Sequence, residues 1–261
     1  MAGVYVNDEG TWKLPKSIWV KSGTWRVCKN VYVKSGGVWK ELIKTVDITS
    51  SKSNLNLYEY LGSPSQALSV VVNISGGVEI FSSNTSGNRT PALTVGNFPT
   101  GSTVIINNNG YISGGGGFGG NGNWYGYDSG TNGTKGGDGI VKGSNNNFDI
   151  SIVNTGTIAG GGGGGGGGTS FSVSSDPYSS PISVAGNTGG QGAGITGYSR
   201  TQGGQPTQRN GGKGLSKGGG GAGGSLGEPG VSDRSSAGAG GKAIGSGIEV
   251  AVSGTIIGAV G

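Results

Sequence analysis

Apolar, mostly β-branched residues alternate with small polar ones in short runs along this chain, and the runs recur. Val104, Ile105 and Ile106 lead to Gly110-Tyr111-Ile112-Ser113-Gly114; Ile150, Ser151 and Ile152 lead to Gly156-Thr157-Ile158-Ala159-Gly160; Glu249, Val250, Ala251 and Val252 lead to Gly254-Thr255-Ile256-Ile257-Gly258. Each is a strand, a turn and a second strand, and three such units in one register predict stacking in a shared sheet. Further strand-like runs cover residues 45–49, 67–74, 78–81, 92–95 and 102–106, parted by Gly, Asn, Ser and Pro clusters, with only a weak helix signal at 55–61. Residues 45–113 are therefore expected to form a small β domain.

A different repeat occupies residues 1–44. An aliphatic residue, an aromatic and Val are followed by a polar stretch ending in Gly, then one residue, Trp and a base. The copies are Val4-Tyr5-Val6 with Gly10-Thr11-Trp12-Lys13, Ile18-Trp19-Val20 with Gly23-Thr24-Trp25-Arg26, and Val31-Tyr32-Val33 with Gly37-Val38-Trp39-Lys40. Aromatic and β-branched residues bracketing such turns predict three short β-hairpins. Trp12, Trp25 and Trp39 at equivalent positions predict a shared small core. A pseudo-three-fold module of this kind can also present similar faces to a partner with true three-fold symmetry.

Behind the second strand unit stand nine consecutive glycines, 160–168. Glycine has no side chain to bury and loses more backbone entropy on ordering than any other residue, so an ordered tract must be held by its backbone. The polyproline II conformation suits this: three residues per turn, about 3.1 Å rise per residue and peptide groups that point outward. With glycine on all three faces, several such helices can approach until N–H groups meet neighbouring carbonyls. Nine residues would span roughly 28 Å. Other glycine-rich stretches lie at 114–120, 186–197, 211–214, 218–224 and 238–245. Residues 114–261 are thus expected to form a layered bundle of polyglycine II helices in a protein that is otherwise β and irregular.

Composition narrows the choice. Of 261 residues 63 are glycine and only 8 proline, without a strict Gly-X-Y period, which excludes collagen. A disordered Gly/Ser linker is the competing interpretation, but β-branched runs embedded among the glycines oppose it. The net charge of +5 resides entirely in residues 1–44, and the rest of the chain carries ten charges of each sign. A nucleic-acid binder would spread a basic face along its main domain, so this segment suits local docking better. One cysteine, Cys28, and no histidine leave no intrachain disulfide and remove the usual metal and His-based catalytic residues; no cofactor is expected. The N-terminus shows no basic-then-apolar leader and no apolar stretch approaches 18 residues, so synthesis in the cytoplasm without a signal peptide, and no membrane insertion, are expected.

Motifs that look catalytic dissolve on inspection. Gly-x-Gly-x-x-Gly is satisfied trivially by a glycine tract with no following helix. Gly211-Gly212-Lys213-Gly214 and Gly240-Gly241-Lys242-Ala243 lack the Ser or Thr that a P-loop needs. Asp138, Asp149, Asp176, Glu228 and Asp233 are too scattered to define a carboxylate pair for glycoside hydrolysis. No catalytic residue is assigned.

The segments between the glycine stretches, 121–134, 169–185, 198–210 and 225–237, concentrate the aromatic and long polar residues of this part of the chain. Ile158-Ala159 followed by nine glycines, the preceding strand-Asn-x-Gly turn, and this alternation of rods with side-chain-rich loops resemble the receptor-binding adhesin at the tip of long tail fibres in some T-even-type bacteriophages. The resemblance covers residues 69–261. It implies a monomeric, non-enzymatic adhesin at the distal tip of a virion fibre, one copy per fibre. The N-terminal module, with Trp12, Trp19, Trp25 and Trp39, would cap a trimeric fibre protein. The loops would contact a bacterial outer-membrane protein or lipopolysaccharide.

Fixing both ends of a loop on close-packed rods lowers the ordering cost of binding. Tyrosine and tryptophan then supply rigid contact area. Trp124, Tyr125 and Tyr127 form the densest cluster, joined by Phe171, Tyr178 and Tyr198. Arg200, Arg209 and Arg234 suit phosphates or acidic loops. Two alternatives stand beside this one: a glycan-degrading tail protein, and a structural or ice-binding polyglycine II protein.

Overall fold

In a computed structural model of the chain, the structure describes residues 6–8, 11–13, 18–22, 24–28, 30–35, 37–83, 90–121, 130–145, 147–168, 171–173, 182–184, 224–232, 235–252 and 254–261. These are mostly strands, with a single four-residue helix. The N-terminal segment contains three antiparallel pairs: β1 (Val6–Asp8) with β2 (Thr11–Lys13), β3 (Ile18–Ser22) with β4 (Thr24–Cys28), and β5 (Asn30–Ser35) with β6 (Val38–Ile48).

From β6 onward the chain winds through successive three-strand coils. β6 is followed by β7 (Lys52–Ser53), β8 (Leu55–Asn56) and α1 (Leu57–Tyr60). The second coil holds β9 (Ser69–Ile74), β10 (Glu79–Phe81) and β11 (Leu93–Thr94). The third holds β12 (Thr103–Asn108), β13 (Tyr111–Ser113) and β14 (Ile140–Val141). β15 (Asp149–Asn154) and β16 (Thr157–Ala159) belong to the fourth. After a separate hairpin of β17 (Phe171–Val173) and β18 (Ile182–Val184), β19 (Glu249–Val252) and β20 (Thr255–Ile257) form the fifth.

Each coil stacks in parallel on the last. One sheet runs β19-β15-β12-β9-β6 and continues to β5, a second runs β20-β16-β13-β10-β7, and a third runs β14-β11-β8. Isolated bridges from Ile140 to Ile244 and on to Val260 extend the third sheet through the last two coils. The result is a three-faced parallel β-solenoid.

The expected shared register of the three strand-turn-strand units is present: Ile106 lies beside Ile152, and Ile152 beside Val250, while Tyr111, Thr157 and Thr255 align in the second sheet. Two earlier coils join the same stack. One strand, β6, crosses residue 44, and the sheets unite segments on both sides of residue 113.

Inward positions build the core in columns. Ile80, Ile112 and Ile158 lie one above another, as do Leu55, Leu93, Ile140 and Ile244, and all belong to one buried cluster. Full burial of each such side chain contributes about 1.5–3 kcal/mol. Phe98 packs edge-on against Tyr58 at 5.5 Å between ring centres and tilts against Phe148 at 5.7 Å, filling the corner between the third and first sheets.

In the third and fourth coils the corner between the first and second sheets is polar and satisfied. Asn108 and Asn154 are fully buried, and Asn108 Nδ2 donates to Asn154 Oδ1 at 2.8 Å. Asn108 Oδ1 accepts the Gly110 N–H at 3.1 Å. The next coil passes so close that a Cβ on Gly156 would lie 2.0 Å from Gly110 O, which is why the turn reads Asn-x-Gly.

Candidate functional site

The described glycine-rich segments, 114–121, 130–139, 160–168, 224–232 and 235–243, lie off the corner between the second and third faces of the solenoid and bond to one another with a three-residue period. Gly114, Gly117 and Gly120 donate N–H bonds to the carbonyls of Ala159, Gly162 and Gly165 at 3.0, 2.8 and 2.8 Å, so 114–120 runs parallel to 160–168. Gly161, Gly164 and Gly167 donate to Gly137, Thr134 and Thr131 at 2.8, 2.9 and 3.0 Å, so 130–139 runs antiparallel to it. A third set of donors, Gly163 and Gly166, reaches Glu228 and Val231 at 2.9 and 3.2 Å. Gly238 and Gly241 donate back to Gly164 and Gly161 at 2.8 and 2.7 Å.

Close approach accounts for the composition. A Cβ at Gly160, Gly161, Gly162, Gly163 or Gly164 would lie 1.8–2.0 Å from a carbonyl oxygen of a neighbouring segment. The nine-glycine run is thus an interior rod with neighbours on every face. Among the described residues segment 130–139 is an edge rod: a Cβ would strike backbone at Gly130, Gly133, Gly136 and Gly139, at 2.1–2.5 Å, while the exposed Thr131 and Lys135 keep their side chains. Edge rods need glycine only at every third place.

Side chains complete the bonding where no further rod is supplied among the described residues. Phe118 N–H donates to Thr134 Oγ1 at 2.7 Å, and Asn121 N–H to Thr131 Oγ1 at 2.7 Å. At the solenoid end Asp138 accepts from Lys135 Nζ at 2.9 Å and from the Lys242 N–H at 2.7 Å.

These contacts bring the far ends of the rods together. Asn121, Thr131 and Gly167 share one bonded level, and a Cβ on Gly166 would meet Ser235 O at 2.0 Å. Asn121, Gly130, Gly168, Ser232 and Ser235 therefore all lie at the end opposite the solenoid. Two expected loop boundaries need correction. Residues 130–134 of the 121–134 loop belong to a rod. The 225–237 loop contains a turn at the solenoid end, where Glu228 N–H bonds to Ser225 O at 3.0 Å, then an ascending stretch to Val231, and only then the tip. Both were read as loops because their non-glycine side chains mask a period that only the neighbours impose.

Of the expected receptor-contacting residues, Trp124, Tyr125, Tyr127, Tyr178, Tyr198, Arg200, Arg209 and Arg234 lie outside the described residues, while Phe171 stands in β17 opposite Val184. The expected fibre-attachment residues fall on the hairpin strands: Trp12 opposite Asn7, Trp19 opposite Val27, Trp25 opposite Lys21 and Trp39 opposite Lys34. The expected glycine stretches at 186–197 and 211–214, and all but Gly224 of 218–224, also lie outside the described residues. Residues that sequence reasoning missed are Thr131, Asn132 and Ser235 at the necks of the tip loops. A hydroxyl beside every-third glycine is the signal that marks the first of them.

Among the described residues two clefts open beside the solenoid strands. One, of about 230 Å³, is lined by Tyr111, Thr157, Leu226 and Thr255; the other, of about 460 Å³, by Lys142, Phe148, Asp149 and Glu249. In the second, Lys142 Nζ is committed to Phe148, donating to its carbonyl at 2.7 Å and lying 4.7 Å from its ring centre. Among the described residues no group of three His, Cys, Asp or Glu side chains could hold a metal ion, and no helix is long and apolar enough to cross a membrane.

Comparison with known proteins gives two findings. The family model described as phage tail fibre adhesin Gp38 matches residues 43–261. A crystal structure of the gp37-gp38 adhesin tip complex of the bacteriophage S16 long tail fibre matches with 24% identity over 85% of this chain and 83% of that chain, at a TM-score of 0.50, a likeness of fold. No curated protein matches the chain.

Proposed function

This chain belongs to the phage tail fibre adhesin family Gp38, and from that premise we propose that its bonded rods are polyglycine II helices that hold receptor-binding loops at the tip of a tail fibre. The observation that carries the reading is the common level of Asn121, Thr131, Gly167 and Ser235, from which the tip segments depart together. Rods whose donors repeat every third residue, with neighbours on all faces of 160–168, have the symmetry of a three-residue helix. They form a platform with little entropy left to lose.

On that platform recognition falls to the loops. Trp124, Tyr125 and Tyr127 lie in the segment 122–129 and Arg234 between Ser232 and Ser235, while Phe171, Tyr178, Tyr198, Arg200 and Arg209 fall in the side-chain-rich segments 169–185 and 198–210. Rigid aromatic area and arginine forks suit an outer-membrane protein or lipopolysaccharide. The chain binds this receptor and does not cleave it. At the other end, the hairpins that carry Trp12, Trp19, Trp25 and Trp39 attach it, one copy per fibre, to a trimeric fibre protein, as gp38 is found with gp37 in the S16 tip complex. The protein then sits at the distal tip of the virion's fibre.

Replacing residues 122–129 with a Gly/Ser segment of equal length tests this. Adsorption to host cells is expected to be lost or redirected while the melting temperature stays unchanged. Unaltered host binding after exchange of every tip segment would remove the assignment.

A further inference from the structure

The smaller of the two clefts holds three hydroxyls that the fold does not use. Its floor is apolar: Leu226, 3% exposed, packs with Ala159, Tyr111 and Ile257 in a cluster separate from the solenoid core. One wall is a ladder on the outer face of the second sheet, where Tyr111, Thr157 and Thr255 stand beside one another on successive coils. Neighbouring rungs are about 4.8 Å apart. The turn at 225–228 brings Ser225 and Leu226 to the same cleft.

That turn is fixed to its surroundings. Glu228 N–H donates to Ser225 O at 3.0 Å, and Gly227 N–H donates to Gly160 O, at the root of the interior rod, at 2.9 Å. Gly227 has φ +68°, and a Cβ on it would lie 2.5 Å from Gly258 Cα, so the turn is pressed against the residue that follows β20. The cleft is thus preformed, and a ligand has little to order on entering it.

Chemistry narrows the occupant. Among the described residues no group bonds the hydroxyls of Thr157, Ser225 or Thr255, and no charged side chain lines the cleft. An ion would find no counter-charge there, and a wholly apolar ligand would strip water from the hydroxyls and return nothing to them. An uncharged ring with hydroxyls on its rim and C–H groups on its faces satisfies both halves of the site, since each Thr and Ser hydroxyl both donates and accepts. The volume of about 230 Å³ lies below the roughly 300–1,000 Å³ of pockets that enclose drug-sized ligands, which suits a single ring.

We propose that this cleft binds one neutral hexose unit of a bacterial surface polysaccharide, with the hydroxyls of Thr157, Ser225 and Thr255 bonding its rim and Tyr111, Leu226 and Ile257 meeting its face. Affinity for a single unit is about millimolar, as so few atoms make the contact. A contact that weak gains value on a fibre already tethered to a cell, where a second engagement becomes intramolecular. None of the tip segments takes part, so the site stands or falls independently of the receptor-binding loops.

The test titrates the full chain with the methyl glycosides of glucose, galactose and mannose and follows backbone amide chemical shifts. At least one hexoside is expected to shift the amides of Thr157, Leu226 and Thr255 with a Kd of about 1 mM. The double substitution Thr157→Val with Thr255→Val removes two hydroxyls at outward strand positions that valine also favours, and is expected to weaken binding about tenfold at an unchanged melting temperature. Thr157→Ser with Thr255→Ser keeps the hydroxyls and binds as the parent does. If the valine variant melts earlier, Ser225→Ala, at an exposed turn position, carries the measurement with a loss of about threefold. Polysaccharide released from host lipopolysaccharide and host capsular polysaccharide are then added as competitors, and displacement by one of them names the source. Absence of any hexoside-induced shift at the cleft, undiminished affinity in the variants that lack hydroxyls, or displacement by neither polymer overturns the proposal, and each leaves the receptor-binding reading of the tip intact.

Discussion

A glycine in this molecule is judged by what surrounds its missing side chain. Gly164 is enclosed: a Cβ there would lie 1.8 Å from Phe118 O. Gly76 is open, with its nearest such neighbour, Asn109 O, at 3.9 Å. Gly164→Ala is therefore expected to force rods apart and cost more than about 4 kcal/mol, while Gly76→Ala stays within about 0.5 kcal/mol of the parent. Thermal or denaturant unfolding of the two variants checks the contrast, and equal stabilities would show that the rods are not close-packed. The same rule explains which part of this was legible in the chain. Nine glycines in a row announce an interior rod, but Gly130, Gly133, Gly136 and Gly139 stand among Thr, Asn, Lys and Asp, and a period of three over one short stretch is indistinguishable from a loop until its neighbours are known.

At the scale of the element, registers decide what is tolerated. The rod 160–168 meets different partners on each face, with contacts recurring every third residue. One extra glycine after Gly164 would rotate the remainder of the rod by a third of a turn and mismatch every later bond. Three extra glycines would restore the faces and advance the exit by one turn, roughly 9 Å. The single insertion is expected to lower the melting temperature more than the triple one, by differential scanning calorimetry; the reverse order would refute a three-residue repeat. Solenoid coils obey a register of their own. Ile48, Ile74, Asn108, Asn154 and Val252 occupy one column, so the first, second and fifth coils have aliphatic residues at the place where the third and fourth carry the bonded asparagine pair. The first two coils therefore lack the Asn-x-Gly turn, and segment 45–113, expected as a small β domain, contributes strands to the same continuous sheets as the later coils.

Among the described residues the strands from β6 onward form one solenoid, and this constrains where the chain can be cut. β6 begins at Val38 and ends at Ile48, pairing with β5 on one side and β9 on the other. Removing residues 1–28 takes away two hairpins and leaves the sheet intact, so the truncated chain is expected to fold and bind host cells without joining the fibre. Removing residues 1–44 severs β6, bares the edge of β9, and is expected to yield aggregation-prone protein. Size-exclusion chromatography and melting curves of the two truncations decide the matter. The chain by itself determined the local facts: alternating apolar positions make strands, Asn-x-Gly makes the repeated corner, and an uninterrupted glycine run can be ordered only by its backbone. Tertiary structure alone decided that five coils stack as one body, that edge rods hide among polar residues, and that the loop necks meet at one end. Those outcomes depend on bonds between residues as far apart as Gly130 and Ser235, and a local sequence pattern carries no record of which distant backbone will arrive beside it.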